Sequence, residues 1–223
     1  MDPQLEHRLR SLMNDFLEEN AVTNLSALRT EEQCWIGNIL DSLAAETVIG
    51  NALGPEARLI DVGSGGGFPL LPLAIRFADL ACTGLDSIAK KNAAVERIAR
   101  KHNLKNVALI TGRAETVAHD AFHRERYSIV TARALAPLPI LLEYCAPFCK
   151  HDGIVIAWKS LHIDQELAAS RAAQETLGCT LETQHRYTLP GNFGTRQLLL
   201  FRKIRPTLRE YPRSVGQVKK KLL

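Results

Sequence analysis

The sequence has no apolar run long enough to cross a membrane as a helix. Its opening residues, MDPQLEHRLR, lack the apolar core of a secretory signal. The five cysteines, at 34, 82, 145, 149 and 179, are odd in number and follow no framework spacing. That excludes a disulfide scaffold and argues for a reducing compartment, so a cytoplasmic protein is expected. Cys145, Cys149 and His151 come one helical turn apart on an apolar stretch, without a second ligand pair. Core cysteines are therefore expected there and no metal. Internal repeats and low-complexity segments are also lacking. What remains is a chain of 223 residues, 46% hydrophobic and 23% charged, a composition that buries a core without cross-links.

Charge of one sign is scarce except at one end. Residues 202–223 carry eight Lys or Arg and one acid, Glu210, for a net +7, while the rest of the chain is −3. Such a tail suits a polyanionic partner, although a solvated end fits it equally. A second basic run, Lys90, Lys91, Arg97, Arg100, Lys101 and Lys105, can track phosphates or face solvent.

Residues 1–22 place Leu5, Leu9, Leu12, Phe16 and Leu17 at helical spacing. Thr30 and Gln33 sit three apart, as in a capping box. They should open a helix with Trp35, Ile36, Ile39, Leu40, Leu43 and Ala44 as one stripe. GNALGP at 50–55 breaks the pattern, and a boundary falls there. Strands are expected at 58–62, 80–85, 106–111, 127–132, 153–158, 180–188 and 196–203. Helices are expected at 69–77, 88–102, 137–149 and 163–177. The alternation implies an α/β fold, a mostly parallel seven-stranded sheet covered on both faces. The last two strands, joined by LPGNFG at 189–194, should form an antiparallel pair at the sheet edge. The chain thus divides into an N-terminal helical extension (1–54), an α/β domain (55–204) and a basic tail (205–223).

The most informative stretch is RLIDVGSGGGFP, residues 58–69. It places a glycine turn at the carboxyl end of the first strand, where open α/β sheets bind ligands. Lysine is missing from the loop, so it is not a P-loop. Counting G-x-G-x-x-G from Gly63 requires glycine at Phe68, and from Gly65 at Leu70, so the dinucleotide spacing fails. Gly63, Gly65 and Gly67, with Asp61 ahead, instead form G-x-G-x-G. That pattern suits S-adenosylmethionine, which has no phosphates and must pass close over the backbone. The second strand ends at Asp86, a carboxylate able to accept from ribose hydroxyls. The third leads into Gly112-Arg113-Ala114-Glu115, whose amides can read an adenine edge. A plain tight turn, with Asp86 capping the next helix, is the competing structural reading.

The fourth strand should aim at the acceptor. It lacks Asn/Asp-Pro-Pro-aromatic, the device for exocyclic amines, and lacks the Pro-Cys of ring-attacking enzymes. It carries Arg133, which cannot be a general base but can hold the methionine carboxylate, clamp a phosphate or stack on a base. An acceptor without a proton to lose, such as guanine N7, suits such a site. Lys159, past the fifth strand, should project at the crevice toward RNA.

NLSALRTEEQCWIGNILDSL, IDVGSGGGFP..PLAI, LDS..KK, ARALAPLPILLEYCAPFCK..G..IAWK and YPR..G together resemble the bacterial ribosomal RNA small subunit methyltransferase G family. It is also called glucose-inhibited division protein B, a 16S rRNA guanine-N7 methyltransferase family. The resemblance spans residues from about Asn20 onward and implies a Rossmann-like, class I S-adenosylmethionine-dependent fold. It implies S-adenosylmethionine as cofactor and, as substrate, a guanine in a 16S rRNA hairpin loop near the decoding centre, presented on the small ribosomal subunit. A monomer is expected. By motif, Gly63, Ser64, Gly65 and Phe68 would line the cofactor site, Asp86 would hold ribose, and Ala114 and Glu115 would flank adenine. Arg133 would sit by the methionine end or the target. Asp41 and Ser42 match the family's helix near the site, and Tyr211 and Arg213 match its C-terminal motif, candidates for RNA contact with Lys159. The chain departs from the family at three places. Asn38 stands where His is usual, so a catalytic role there loses its titratable group. Glu19 replaces a common Trp, and Leu70 a usual Gly. Another methyl acceptor, or a non-catalytic cofactor-binding assembly factor, are the alternatives.

Overall fold

The structure, a computed structural model, describes residues 1–223, the side chain of Lys219 aside. Asp2 caps α1 (Pro3–Thr23) by accepting from the Leu5 amide at 3.0 Å. The capping box at Thr30 is present, with Gln33 N donating to Thr30 Oγ1 at 3.2 Å and Gln33 Oε1 accepting from Thr30 N at 3.3 Å. It opens α2 (Glu31–Cys34), but the single helix expected beyond it does not follow. Trp35–Leu40 wind as a π-turn before α3 (Asp41–Leu43), and α4 (Glu46–Asn51) comes after a break. Gly37, inside the π-turn, is pressed between Leu28 and Phe193, where an added Cβ would come within 2.6 and 2.9 Å. Its carbonyl accepts from Arg133 at 2.8 Å, an outside partner for backbone that the wider turn exposes.

The remaining elements alternate as expected: β1 (Arg58–Val62), α5 (Leu70–Arg76), β2 (Ala81–Asp86), α6 (Ala89–Lys101), β3 (Val107–Thr111), α7 (Ala114–Val117), β4 (Tyr127–Arg133), α8 (Leu138–Cys145), β5 (Cys149–Lys159), α9 (Asp164–Ala169), α10 (Arg171–Leu177), β6 (Cys179–Thr188), β7 (Thr195–Lys203) and α11 (Val215–Lys220). The sheet runs β3-β2-β1-β4-β5-β7-β6. Its first five strands are parallel, and β7 and β6 are antiparallel at one edge. Strand order reverses between β1 and β4, so the crevice opens beyond Val62 and Arg133.

Strand side chains alternate between two buried layers. Leu59, Cys82, Ile129, Ile156 and Leu198 pack with Leu9, Leu12 and Phe16 of α1 and with α5 and α6. Ile60, Leu85, Val130, Val155, Leu199 and Phe201 pack with α8 and α10 on the other face. The N-terminal helices are thus one wall of the sheet's own core. Charges fasten this wall. Glu19 receives both Arg97 Nε and Nη2 at 2.7 Å, and Asp15 receives Lys101 at 2.5 Å and meets His102 at 2.7 Å. With Arg100 on Glu96, three residues of the basic run on α6 already have protein partners. Glu19 serves here as an ion-pair contact between α1 and α6.

Two helix boundaries differ from expectation. The helix expected over 137–149 ends at Cys145, a 3₁₀ turn (Ala146–Phe148) follows, and Cys149 already pairs with Tyr127 in β5. Pro147 has no amide to continue a helix. The helix expected over 163–177 breaks at Ser170, whose hydroxyl donates to Leu167 O at 2.7 Å, competing with the backbone.

The basic tail is docked. Arg124 donates to four carbonyls, those of Ala118, Tyr211, Thr207 and Leu208, at 2.8 to 3.1 Å. Lys203, fully buried, donates to Ala146 O at 3.0 Å and pairs with Glu125 at 3.1 Å, and Glu125 also receives the Thr207 amide at 2.8 Å. Arg124→Met leaves four carbonyls without their donor. It is expected to lower stability by about 2–3 kcal/mol in urea unfolding, with an unchanged far-ultraviolet spectrum.

Candidate functional site at the strand ends

A cavity of about 500 Å³ lies at the carboxyl ends of β1, β2 and β3, a size typical of small-molecule sites. Val62 and Gly63 form its floor, Asp86 to Ile88 one side, Gly112 to Glu115 a second, and Leu135 to Pro137 with Ile140 and Tyr144 a third. Of the residues expected at a cofactor site, it brings together Gly63, Asp86, Ala114 and Glu115. Gly63, Gly65 and Gly67 have φ of +75, +54 and +88°, the left-handed region that glycine adopts without cost. At Gly63 an added Cβ would lie 2.6 Å from Leu135.

Asp86 closes an Asx turn just ahead of α6 and faces the cavity. Oδ1 accepts from Ile88 N at 2.8 Å and Oδ2 from Gly65 N at 2.9 Å. Each oxygen retains a lone pair for a hydroxyl. Asp86 does not cap α6, whose N-cap is Ile88; its turn bond leaves room for a ligand role. Ala114, expected in a turn, is the first residue of α7.

Asp61, two residues before Gly63, lies wholly beneath the loop. Oδ1 accepts from Thr131 Oγ1 at 2.9 Å, while Oδ2 is buried without a hydrogen bond. Burial raises its carboxyl to about 7; Thr131, the charge of Arg133 and the Leu70 amide act the other way. Ser64 Oγ is likewise buried and unpaired. The fit to S-adenosylmethionine rests on this chemistry: a lysine-free glycine turn, a carboxylate at the ribose position and a mostly apolar chamber. Gly63, Asp86, Ala114 and Glu115 would hold the adenosine portion.

Phe68 and Arg133 stand on the opposite side of the sheet, since Arg133 follows Ile129 and Thr131 on the α1 face of β4. The Phe68 ring meets Phe16 edge-on at 4.7 Å, and the Arg133 Cζ lies 5.8 Å from its centre. Arg133 Nη1 donates to Gly37 O at 2.8 Å and to Asp41 Oδ2 at 2.9 Å, and Nη2 donates to Asn38 Oδ1 at 2.7 Å. Asp41 is fully buried and also receives Tyr187 Oη at 2.6 Å and Arg196 Nη1 at 3.2 Å. Trp158 Nε1 donates to its carbonyl at 2.8 Å, and Ser42 Oγ to Asn38 O at 2.6 Å. Burial first, then the Asp41 charge, push the Tyr187 hydroxyl's pKa up, so it remains a donor. Tyr187 and Arg196, paired across the β6–β7 ladder, carry no motif that marks them in the sequence. Only their place beside the 189–194 turn hints at the crevice end.

Three residues expected to meet RNA have partners within the chain. Lys159, rather than projecting, donates to Ala136 O at 2.9 Å and pairs with Glu166, which also accepts from the Leu138 amide. Arg213 forms a two-pronged pair with buried Glu143 at 2.7 and 2.8 Å. Tyr211 packs on the α8 layer. Among the described residues no cluster of His, Cys, Asp or Glu has the form of a metal site, and no helix is long and apolar enough to cross a membrane. All five cysteines are buried, and burial raises the Cys34 thiol to about 11 and those of Cys82, Cys149 and Cys179 to about 12.

Two variants test this geometry. Gly63→Ala is expected to weaken S-adenosylhomocysteine binding at least tenfold in calorimetry, because the added methyl meets Leu135. Asp61 should titrate near 4 unfolded and at about 7 folded. The native state then holds the extra proton, and stability falls as pH rises from about 4 to about 7. Asp61→Asn should flatten that fall in urea unfolding followed from pH 5 to pH 8.

Comparison with known proteins places the chain in a family and a fold. The model of the rRNA small subunit methyltransferase G family matches residues 5–191. A "Ribosomal RNA small subunit methyltransferase G" from Roseiflexus sp. is 42% identical over 197 residues, covering 88% of this chain and 82% of that protein. The protein of the same name from Halalkalibacterium halodurans is 36% identical over 220 residues, covering 99% and 90%. In fold, the chain resembles a putative O-methyltransferase from Klebsiella pneumoniae, with a TM-score of 0.61 at 15% identity over 92% of this chain and 91% of that one. It also resembles a precorrin-6y C5,15-methyltransferase from Geobacter metallireducens, with a TM-score of 0.54 at 13% identity over 72% and 88%. The glycine turn, the carboxylate at the second strand and the family match converge: the chain belongs to the rRNA small subunit methyltransferase G family and is an S-adenosylmethionine-dependent methyltransferase.

Proposed function

We propose that the protein methylates N7 of a guanine in a hairpin loop of 16S rRNA near the decoding centre, on the small ribosomal subunit. The observation that carries this reading is the acceptor side of the crevice. Arg133 and Arg196 present cations there, with buried Asn38 and Phe68 packed behind the Arg133 guanidinium. Asp41 is wholly enclosed by its donors, Asp61 is sealed beneath the loop, and the thiols are buried. A site of this kind holds and orients an acceptor; it does not take a proton from one.

Guanine N7 needs no deprotonation. S-adenosylmethionine supplies a methyl group on a sulfonium. Held by Gly63, Asp86, Ala114 and Glu115, it would donate that methyl to the N7 lone pair and leave as S-adenosylhomocysteine, its sulfonium charge neutralised. Positioning then carries the catalysis. Arg133, held flat by Gly37, Asn38 and Asp41, is the residue proposed to orient the target beside the methionine end. Asn38 acts through its carbonyl on Arg133, a role that needs no titratable group. Phe68, 5% exposed and packed on Phe16, backs the Arg133 guanidinium rather than meeting a base itself. Arg186 and Arg196, exposed and half-exposed at the same end of the β6–β7 hairpin, are candidates for phosphate contact, with Arg209, Lys220 and Lys221 of the tail. The enzyme is proposed to act as a monomer in the cytoplasm.

The test offers labelled S-adenosylmethionine with purified small subunits, naked 16S rRNA and a panel of small acceptors, then maps labelled RNA by cleavage at N7-methylguanine. One labelled N7-methylguanine in the small-subunit RNA is expected. Label in a small acceptor, or none in RNA, overturns the substrate. Removing the tail whole is a poor test of RNA binding, because the segment is built into the fold. Replacing Arg209, Lys220 and Lys221 together by Ala should weaken rRNA binding and lower the salt slope by about 1 for each phosphate no longer neutralised, with unchanged affinity for S-adenosylhomocysteine.

A further inference from the structure

We infer that the C-terminal segment is itself a wall of the cofactor site, with Val215 closing the adenine end; this rests on the cofactor reading of the cavity. Val215 lines the cavity together with Ala114, Glu115, Ile140 and Tyr144. Those residues belong to α7 and α8, and the segment is fastened to the same two helices. Pro212 O meets His119 Nε2 at 2.9 Å, just beyond the end of α7. Arg213 is fixed to Glu143 of α8, next to Tyr144, through its guanidinium and its backbone amide, the latter at 2.9 Å. Glu143 is 1% exposed. Taking Arg213 away would leave that carboxylate buried and unpaired, a costly state. A second capping box, Ser214 with Gln217, then starts α11 at Val215, and Val218 is fully buried beneath it. The +7 tail therefore has an inner, apolar face at the cavity and an outer face that carries Arg209, Lys220 and Lys221, all exposed.

The inner face has a defined chemistry. Val215 brings a branched alkyl group opposite the Gly112–Glu115 turn, the place expected for the adenine edge. An apolar contact on a purine face is blind to the charge on the distant sulfur. Its effect should be shared by every ligand that carries adenosine.

The test measures binding by the full-length chain, with no acceptor present. Val215→Asp is expected to weaken S-adenosylhomocysteine and adenosine by the same factor, at least tenfold, in titration calorimetry. The unliganded thermal midpoint should remain within about 2 °C, because the position is only half-buried. Arg213→Met, which releases the anchor without touching the cavity, should weaken both ligands by a smaller factor. As a second readout, Val215→Trp places an indole at the wall, and adenosine, but not homocysteine, should change its emission above the background of Trp35 and Trp158. Wild-type affinity in Val215→Asp, or an emission at 215 indifferent to adenosine, overturns the inference. A wild-type chain that binds neither S-adenosylhomocysteine nor adenosine overturns the cofactor reading instead, and this inference with it.

Discussion

The proposed acceptor side of the crevice depends on one buried carboxylate. Asp41 sits in the short helix after the π-turn and gathers Arg133 from β4, Arg196 from β7 and Tyr187 from β6. Burying a charge is expensive, and the cost is offset only when the geometry is good and the remaining lone pairs are filled. Here two cations and a hydroxyl fill them. These contacts tie the N-terminal helices to β4, β6 and β7 and fix the guanidinium of Arg133. With an apolar residue at 41, the wall would still have Leu9, Leu12 and Phe16 to bury, but the arginine would lose its seat.

Strand alternation divides the crevice between two tasks. Val62 and Leu85 point to the α8 side, and with Gly63, Ala114, Glu115 and Tyr144 they line the chamber. Asp61, Thr131 and Arg133 point to the α1 side. The glycine loop crosses between the two sides, because positive φ at Gly63, Gly65 and Gly67 lets the backbone turn over the strand ends. On the proposed reading, a ligand laid along that loop would have its adenosine in the chamber and its other end toward Arg133. No proton-accepting group is required at the junction, in keeping with an acceptor that carries a lone pair and no hydrogen.

The sheet and its glycine loop are legible in the sequence because both are local. Period-two apolar runs end in turn residues, and strand boundaries fall within a residue or two of expectation, except at Cys149. There, β5 begins four residues earlier because Tyr127 pairs with Cys149 past an irregularity in the ladder. What is not legible depends on distant partners. The π-turn involves Gly37 against Phe193 and Arg133, 156 and 96 positions away. The +7 tail reads as a solvated end because charge counts cannot show Arg124 gathering four carbonyls or Glu143 waiting for Arg213. Lys159 stands at the right strand end to reach a ligand, yet Glu166, one turn into the next segment, holds it. A motif reports which residues are near a site; it does not report which of them are already bonded.

The measurement closest to the centre of this account compares Asp41→Asn with the native enzyme in two assays: methyl transfer to small subunits and the binding of S-adenosylhomocysteine. The amide keeps the volume of Asp41 and removes its charge. If Asp41 seats the acceptor-side arginine, kcat falls at least a hundredfold while the Kd for S-adenosylhomocysteine stays within threefold, because the chamber lies on the other face of the sheet. Undiminished transfer, or a loss of cofactor binding as large as the loss of transfer, would contradict the division between chamber and acceptor side.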